Sequence, residues 1–111
     1  MQTPIKILTT PQNLRLGNDI AAQLDAHVIS ATIAKFPDGE WSVELLESVR
    51  GDVVYVVGGT HSPVNDNLML LALLADACRR AGARSINLVC PYFGYSRQDR
   101  RSQISCLRIG I

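Results

Sequence analysis

The stretch VVYVVGGTHSPVNDNLMLLALLADACRRAGARSINLVC, Val53 to Cys90, sets a long apolar segment between two short ones. Val53-Val54-Tyr55-Val56-Val57 is continuous, apolar and β-branched, as a strand covered on both faces would be. Gly58-Gly59 breaks it. Asn65-Asp66 then offers a helix cap ahead of Asn67 to Ala81, which is apolar almost all round through Leu74. A helix of that kind is buried against a sheet and against something else besides. Arg79 and Arg80 suit the negative end of the helix dipole, and Gly82 suits its C-terminal cap. Ser85 to Cys90 gives the next strand. Strand, helix, strand in that order is a βαβ unit, which predicts an α/β fold with a mainly parallel sheet.

Working outward, Ile5-Lys6-Ile7-Leu8 alternates like a first strand, and Thr9-Thr10-Pro11 supplies a turn and helix start. Asn13 to Leu24 places Leu14, Ile20, Ala21 and Leu24 on one helical face, with Gly17 weakening the pattern. Val28 to Phe36 is β-branched and alternating and reads as one strand. Pro37-Asp38-Gly39 is a turn in which Gly39 can take positive φ. Trp41 to Leu46 alternates again, with Trp41, Val43 and Leu45 on one face, so the pair makes a β-hairpin beside the βαβ unit.

At 111 residues the chain is one domain's worth, or part of one, and 47% hydrophobic with 19% charged residues is globular composition. The longest apolar run, Leu68 to Ala75, is far shorter than a membrane span, and no charged start with an apolar region behind it marks a secretory signal. A cytoplasmic protein with no membrane partner is the expectation. Cys78, Cys90 and Cys106 lack metal-ligand spacing and read as reduced thiols, Cys78 and Cys90 in the core. The net charge of +1 argues against nucleic acid as a partner. From Ser96 to Ile111 four arginines stand against one acid, a net +3, so the rest of the chain carries −2.

That charge lies in PYFGYSRQDRR, Pro91 to Arg101, just past the strand that ends at Cys90. In open α/β sheets ligands bind outside the carboxyl ends of the strands. Arg97, Arg100 and Arg101 can fork paired donors onto phosphate oxygens, and the Gln98 amide suits a purine edge. A plain solvated basic surface is the competing reading. Around the hairpin turn, Phe36 could stack on a base while Asp38 and Glu40 accept from exocyclic amines or ribose hydroxyls. An ordinary turn, with Phe36 in the core, is the alternative there. Gly58-Gly59-Thr60-His61-Ser62 could offer backbone N–H groups to phosphate but contains no Walker-type loop. No serine-histidine-acid arrangement and no metal-ligand cluster can be argued from spacing.

In register along the chain, FPDGEWSVEL (Phe36 to Leu45), ESVRG (Glu47 to Gly51), NDNLMLLALLADACRRAGA (Asn65 to Ala83) and PYFGYSRQDRR closely resemble the N-terminal half of ribose-phosphate pyrophosphokinase, or PRPP synthetase. The match runs from about Ile5 to Arg101. The resemblance implies a phosphoribosyltransferase-like domain, and transfer of the β,γ-diphosphoryl group of ATP to ribose 5-phosphate with magnesium, giving PRPP and AMP. It assigns ATP to Phe36, Asp38, Gly39 and Glu40, contributed by a neighbouring subunit, and to Arg97, Gln98 and Asp99, with Arg100 and Arg101 in the same basic cluster. It also implies a homo-oligomer, a hexamer in the family, or association with a full-length subunit. The family's magnesium histidine, catalytic lysine, ribose 5-phosphate loop and second domain have no counterpart after Arg101, where the chain reads SQISCLRIGI. The expectation is one domain over residues 1–111, truncated after about 101, that binds ATP and contributes no catalytic or metal-ligating residue of its own. A non-catalytic protein that associates with the active enzyme is the alternative.

Overall fold

A computed structural model describes residues 5–60, 63–91 and, for the course of the backbone, 106–109. The order is β1 (Ile5–Thr9), a 3-10 turn (Pro11–Asn13) running into α1 (Leu14–Leu24), β2 (His27–Val28), β3 (Ala31–Lys35), β4 (Trp41–Leu45), β5 (Val53–Val57), α2 (Val64–Arg80), β6 (Ser85–Val89) and β7 (Cys106–Ile109). The expected βαβ unit is β5–α2–β6, with Val53 opposite Ser85 and Val57 opposite Val89 in parallel register. On its other edge β5 pairs in parallel with β1, Ile5 opposite Val53. With β2 outside β1 and β7 antiparallel outside β6, the sheet order is β2-β1-β5-β6-β7. No strand is expected from the sequence at Cys106–Ile109. β3 and β4 form a separate antiparallel hairpin.

The apolar run of β5 follows from the two layers around it. Val54 and Val56 join the core beneath α2, with Leu70, Leu71, Leu74, Ile86 and Leu88. Tyr55 and Val57 turn to the opposite face, where Ile7, Leu16, Ile20 and Ala21 bring in α1. In α2 the buried residues are Asn67, Leu70, Leu71, Leu74, Ala75 and Cys78, spaced three and four apart as one stripe. Each fully buried leucine on that stripe contributes roughly 1.5–3 kcal/mol over an exposed one. The second surface expected against α2 is the hairpin: Trp41, Val43 and Leu45 of β4 pack on the same core. Cys78 and Cys90 are buried and not joined as a disulfide, and burial pushes the Cys78 thiol up to about 11. Among the described residues no helix is long and apolar enough to cross a membrane.

Two sequence expectations change. The single strand over Val28 to Phe36 is two strands in two sheets. Ile29 N–H donates to the Ile7 carbonyl of the large sheet at 2.8 Å, and one residue later Ser30 N–H donates to the Glu47 carboxylate while the Ser30 carbonyl accepts from Leu46 N–H. The alternating pattern continues unbroken through this point because both sheets bury the same kind of side chain. The second change is at the start of α2. Pro63 occupies the N-cap position, and its carbonyl accepts from Asn67 N–H at 3.1 Å. Asn65 and Asp66 therefore lie inside the first turn, where Asp66 favours the positive end of the helix dipole. The C-terminus is as expected: Gly82 is left-handed at φ +87°, and Ala83 N–H reaches back to the Cys78 carbonyl at 3.1 Å.

Candidate functional site

The hairpin turn is closed by backbone hydrogen bonds. Gly39 N–H donates to the Phe36 carbonyl at 2.9 Å, closing a β-turn with Pro37 at its second position, and Phe36 N–H donates to the Glu40 carbonyl at 2.8 Å. Gly39 stands at φ +95° with open space where a Cβ would be, so conformation and not crowding selects glycine. Residues 36–40 are all exposed, and Phe36 keeps 54% of its surface in solvent. The alternative reading, which put Phe36 in the core, fails on that figure. Asp38 accepts from Glu40 N–H at 3.0 Å, and this bond is the main reason its carboxyl is held below the usual aspartate range. Phe36, Asp38, Gly39 and Glu40 thus share one projecting turn that offers an aromatic face and two carboxyl groups.

The rung just before the turn is the cross-strand pair Lys35 and Trp41. Lys35 Nζ lies 2.7 Å from Asp66 Oδ2 and 4.7 Å from the centre of the Trp41 ring, and the indole N–H donates to the Asp66 carbonyl at 2.9 Å. Sequence reading places Trp41 only on a strand face and Asp66 only in a helix cap. The basic residue paired with an aromatic one across the turn was the available signal.

A second candidate, the glycine pair after β5, sits where the connections diverge. β1 leads through α1 to one edge of the sheet and β5 through α2 toward the other, so their carboxyl ends flank the switch point at which α/β folds hold ligands. Here the backbone groups at those ends pair within the chain. Thr10 N–H donates to the Val57 carbonyl, Gly58 N–H to the Val89 carbonyl, and Gly59 N–H to Asn13 Oδ1 at 2.9 Å. Both glycine amides are therefore engaged within the fold. A Cβ on Gly58 would lie 2.6 Å from Thr10 Cγ2 and 2.8 Å from Leu71 Cδ2, which accounts for that glycine by packing.

β6 ends at Val89, with Cys90 buried and Pro91 exposed, so the chain leaves the carboxyl edge of the sheet where the sequence places it. Arg97, Gln98, Asp99, Arg100 and Arg101 lie outside the described residues, as do His61 and Ser62. Among the described residues no group of three or more His, Cys, Asp or Glu side chains could hold a metal ion.

Comparison with known proteins bears on the whole of this architecture. A ribose-phosphate pyrophosphokinase of Oceanobacillus iheyensis is 46% identical over 99 residues, which cover 89% of this chain and 31% of that protein. The crystal structure of phosphoribosylpyrophosphate synthetase from Mycobacterium smegmatis superposes with a TM-score of 0.82 at 30% identity, over 92% of this chain and 35% of that one. A purine phosphoribosyltransferase from Pyrococcus horikoshii shares the fold alone, with a TM-score of 0.62 at 12% identity over 82% of this chain and 69% of that one. The chain spans about a third of the length of the pyrophosphokinase relatives it matches. A family model, described as the N-terminal domain of ribose phosphate pyrophosphokinase, matches residues 5–108, beyond the point near Arg101 where the sequence motifs end. The chain belongs to the family of the N-terminal domain of ribose phosphate pyrophosphokinase.

Proposed function

We propose that this chain is the nucleotide-binding part of a ribose-phosphate diphosphokinase, an enzyme that moves the β,γ-diphosphoryl group of ATP to ribose 5-phosphate and yields PRPP and AMP. The observation that carries the reading is the turn at residues 36–40. An exposed phenylalanine and two carboxyl groups stand together on the hairpin turn, outside the core. In the proposed roles Phe36 stacks on the adenine, and Asp38 and Glu40 accept from its amine or from the ribose hydroxyls.

Because residues 36–40 are all exposed in the single chain, the turn suits a nucleotide held between two subunits, and a homo-oligomer is part of the proposal. Arg97, Arg100 and Arg101 would neutralise the phosphates, with Gln98 and Asp99 beside them. Diphosphoryl transfer depends on positioning and on neutralisation of phosphate charge. We assign this chain to the nucleotide side of that task, and no step to ribose 5-phosphate or magnesium.

Calorimetric titration of the 111-residue chain with ATP tests the assignment. ATP is expected to bind, and Phe36→Ala and Arg97→Ala are each expected to weaken it by about tenfold, the loss of one stacking or charged contact. Absence of ATP binding, or unchanged affinity in both variants, would overturn it. Absence of ATP binding combined with co-purification of a longer pyrophosphokinase subunit would favour the non-catalytic partner instead.

A further inference from the structure

The turn that carries Phe36, Asp38 and Glu40 is joined to the body of the chain by more than its strands. Below it lies a cavity of about 350 Å³ lined by Gly39, Glu40, Trp41, Asp66, Met69 and Leu73. That space lies between the hairpin tip and α2. Two polar ties cross it, both at Asp66: the Lys35 ammonium on its carboxylate, and the Trp41 indole N–H on its main-chain carbonyl. Lys35 also lies over the Trp41 ring, so the two residues of the last rung brace one another as well as the helix.

We infer that Lys35, Trp41 and Asp66 form a positioning latch that fixes the angle of the turn against α2, and that this angle sets the affinity for the base and ribose of the nucleotide. The inference rests on the nucleotide reading above. Lys35 and Asp66 are 38% and 47% exposed, and an ion pair so open to solvent contributes little to global stability. Its effect is local: it holds the tip in one orientation across the cavity. None of the three residues touches the nucleotide in this account, so they are positioning residues. The latch also explains why a tryptophan stands at the foot of a solvent-facing turn, since a smaller residue at this position would fill less of the space and offer no donor to the helix.

Trp41 is the single tryptophan of the chain, so its emission reports on the latch without a label. The test compares Lys35→Met, which keeps the aliphatic stem, Asp66→Asn and Lys35→Arg, each followed by Trp41 emission, acrylamide quenching, ATP titration and urea unfolding. Lys35→Met and Asp66→Asn are expected to make Trp41 more accessible to quencher and to weaken ATP about three- to tenfold, with the urea midpoint unchanged. Lys35→Arg, which keeps both the charge and the ring contact, is expected to behave like the unsubstituted chain. Unchanged emission and quenching in Lys35→Met and Asp66→Asn would overturn the latch whether or not ATP binds. Altered quenching with unchanged ATP affinity would overturn its link to the nucleotide, and loss of affinity that tracks a falling urea midpoint would reduce it to a general fold contact. If the unsubstituted chain binds no ATP, the nucleotide reading fails, and the inference drawn from it fails too.

Discussion

The β5–α2–β6 unit and the β3–β4 hairpin lie against each other and are held together by different physics. β5 buries Val54, Val56 and Val57, β6 buries Ile86 and Leu88, and α2 adds a stripe of six more. Neither β3 nor β4 contains a fully buried residue. The hairpin leans on the core through Trp41, Val43 and Leu45 and is fixed at its ends by polar ties, Glu47 to His27 and Ser30 at the base and Asp66 to Lys35 and Trp41 at the tip. Packing makes the first unit hard to alter. Polar ties leave the second able to present its side chains outward, which is why the candidate site lies on it.

Substitutions should separate the two regions, most sharply in the core. Leu74→Ala removes a side chain with no exposed surface and should cost about 2–5 kcal/mol in urea unfolding, the range for a buried leucine truncated to a cavity. A loss below that range would mean that α2 is less firmly seated than its burial indicates. Gly58→Ala should cost about 1–3 kcal/mol, because the new methyl meets Thr10 and Leu71 at distances no real Cβ keeps. Thr10→Ser in the same chain, by removing the nearest methyl, should recover part of that loss. Equal stability of the single and double variants would place the strain elsewhere.

At the base of the hairpin the test is pH. Ser30 N–H, first, and His27, second, hold the Glu47 carboxyl below the usual glutamate range, so folding favours its charged form. The stabilising tie is present in full above the ordinary glutamate pKa and is lost as pH falls through the lowered value. Glu47→Gln should therefore lower stability in the neutral region, change little at pH below the lowered value, and so flatten the acid limb of the profile; an unchanged acid limb would show that other carboxylates govern it. The smallest effect on stability belongs to the turn. Phe36→Ala should shift unfolding by no more than about 0.5 kcal/mol, as for an exposed residue, while the nucleotide titration registers its absence. A larger shift would mean that Phe36 belongs to the core after all.

The same contrast decides what could be read from the sequence. β5, α2 and β6 were legible because a strand covered on both faces and a helix lying between two surfaces leave long apolar runs. The hairpin was legible as alternation, and its Pro37-Asp38-Gly39 turn as turn chemistry. The break at Ile29–Ser30 was not, since it depends on the Glu47 carboxylate and the Ile7 carbonyl, both remote in sequence. Asn13 likewise reveals nothing of Gly59, its partner across the switch point. Of the candidate site, the residue types on the turn pointed to a ligand, but an aromatic residue at the end of an alternating strand suggests the core. Only the fold shows Phe36 facing outward. The basic cluster from Arg97 to Arg101 was the clearest signal in the sequence, and it lies outside the described residues.

The register of the large sheet has a consequence for the time course of assembly. β1 is made well before its principal neighbour β5, with which it pairs Ile5 opposite Val53. The hairpin falls between them in the chain and can close locally within microseconds, whereas the β1–β5 pairing must close the long loop that contains it. During synthesis, β1 and the apolar face of α1 emerge well before the strand that covers them, and for that interval they are the natural targets of a chaperone.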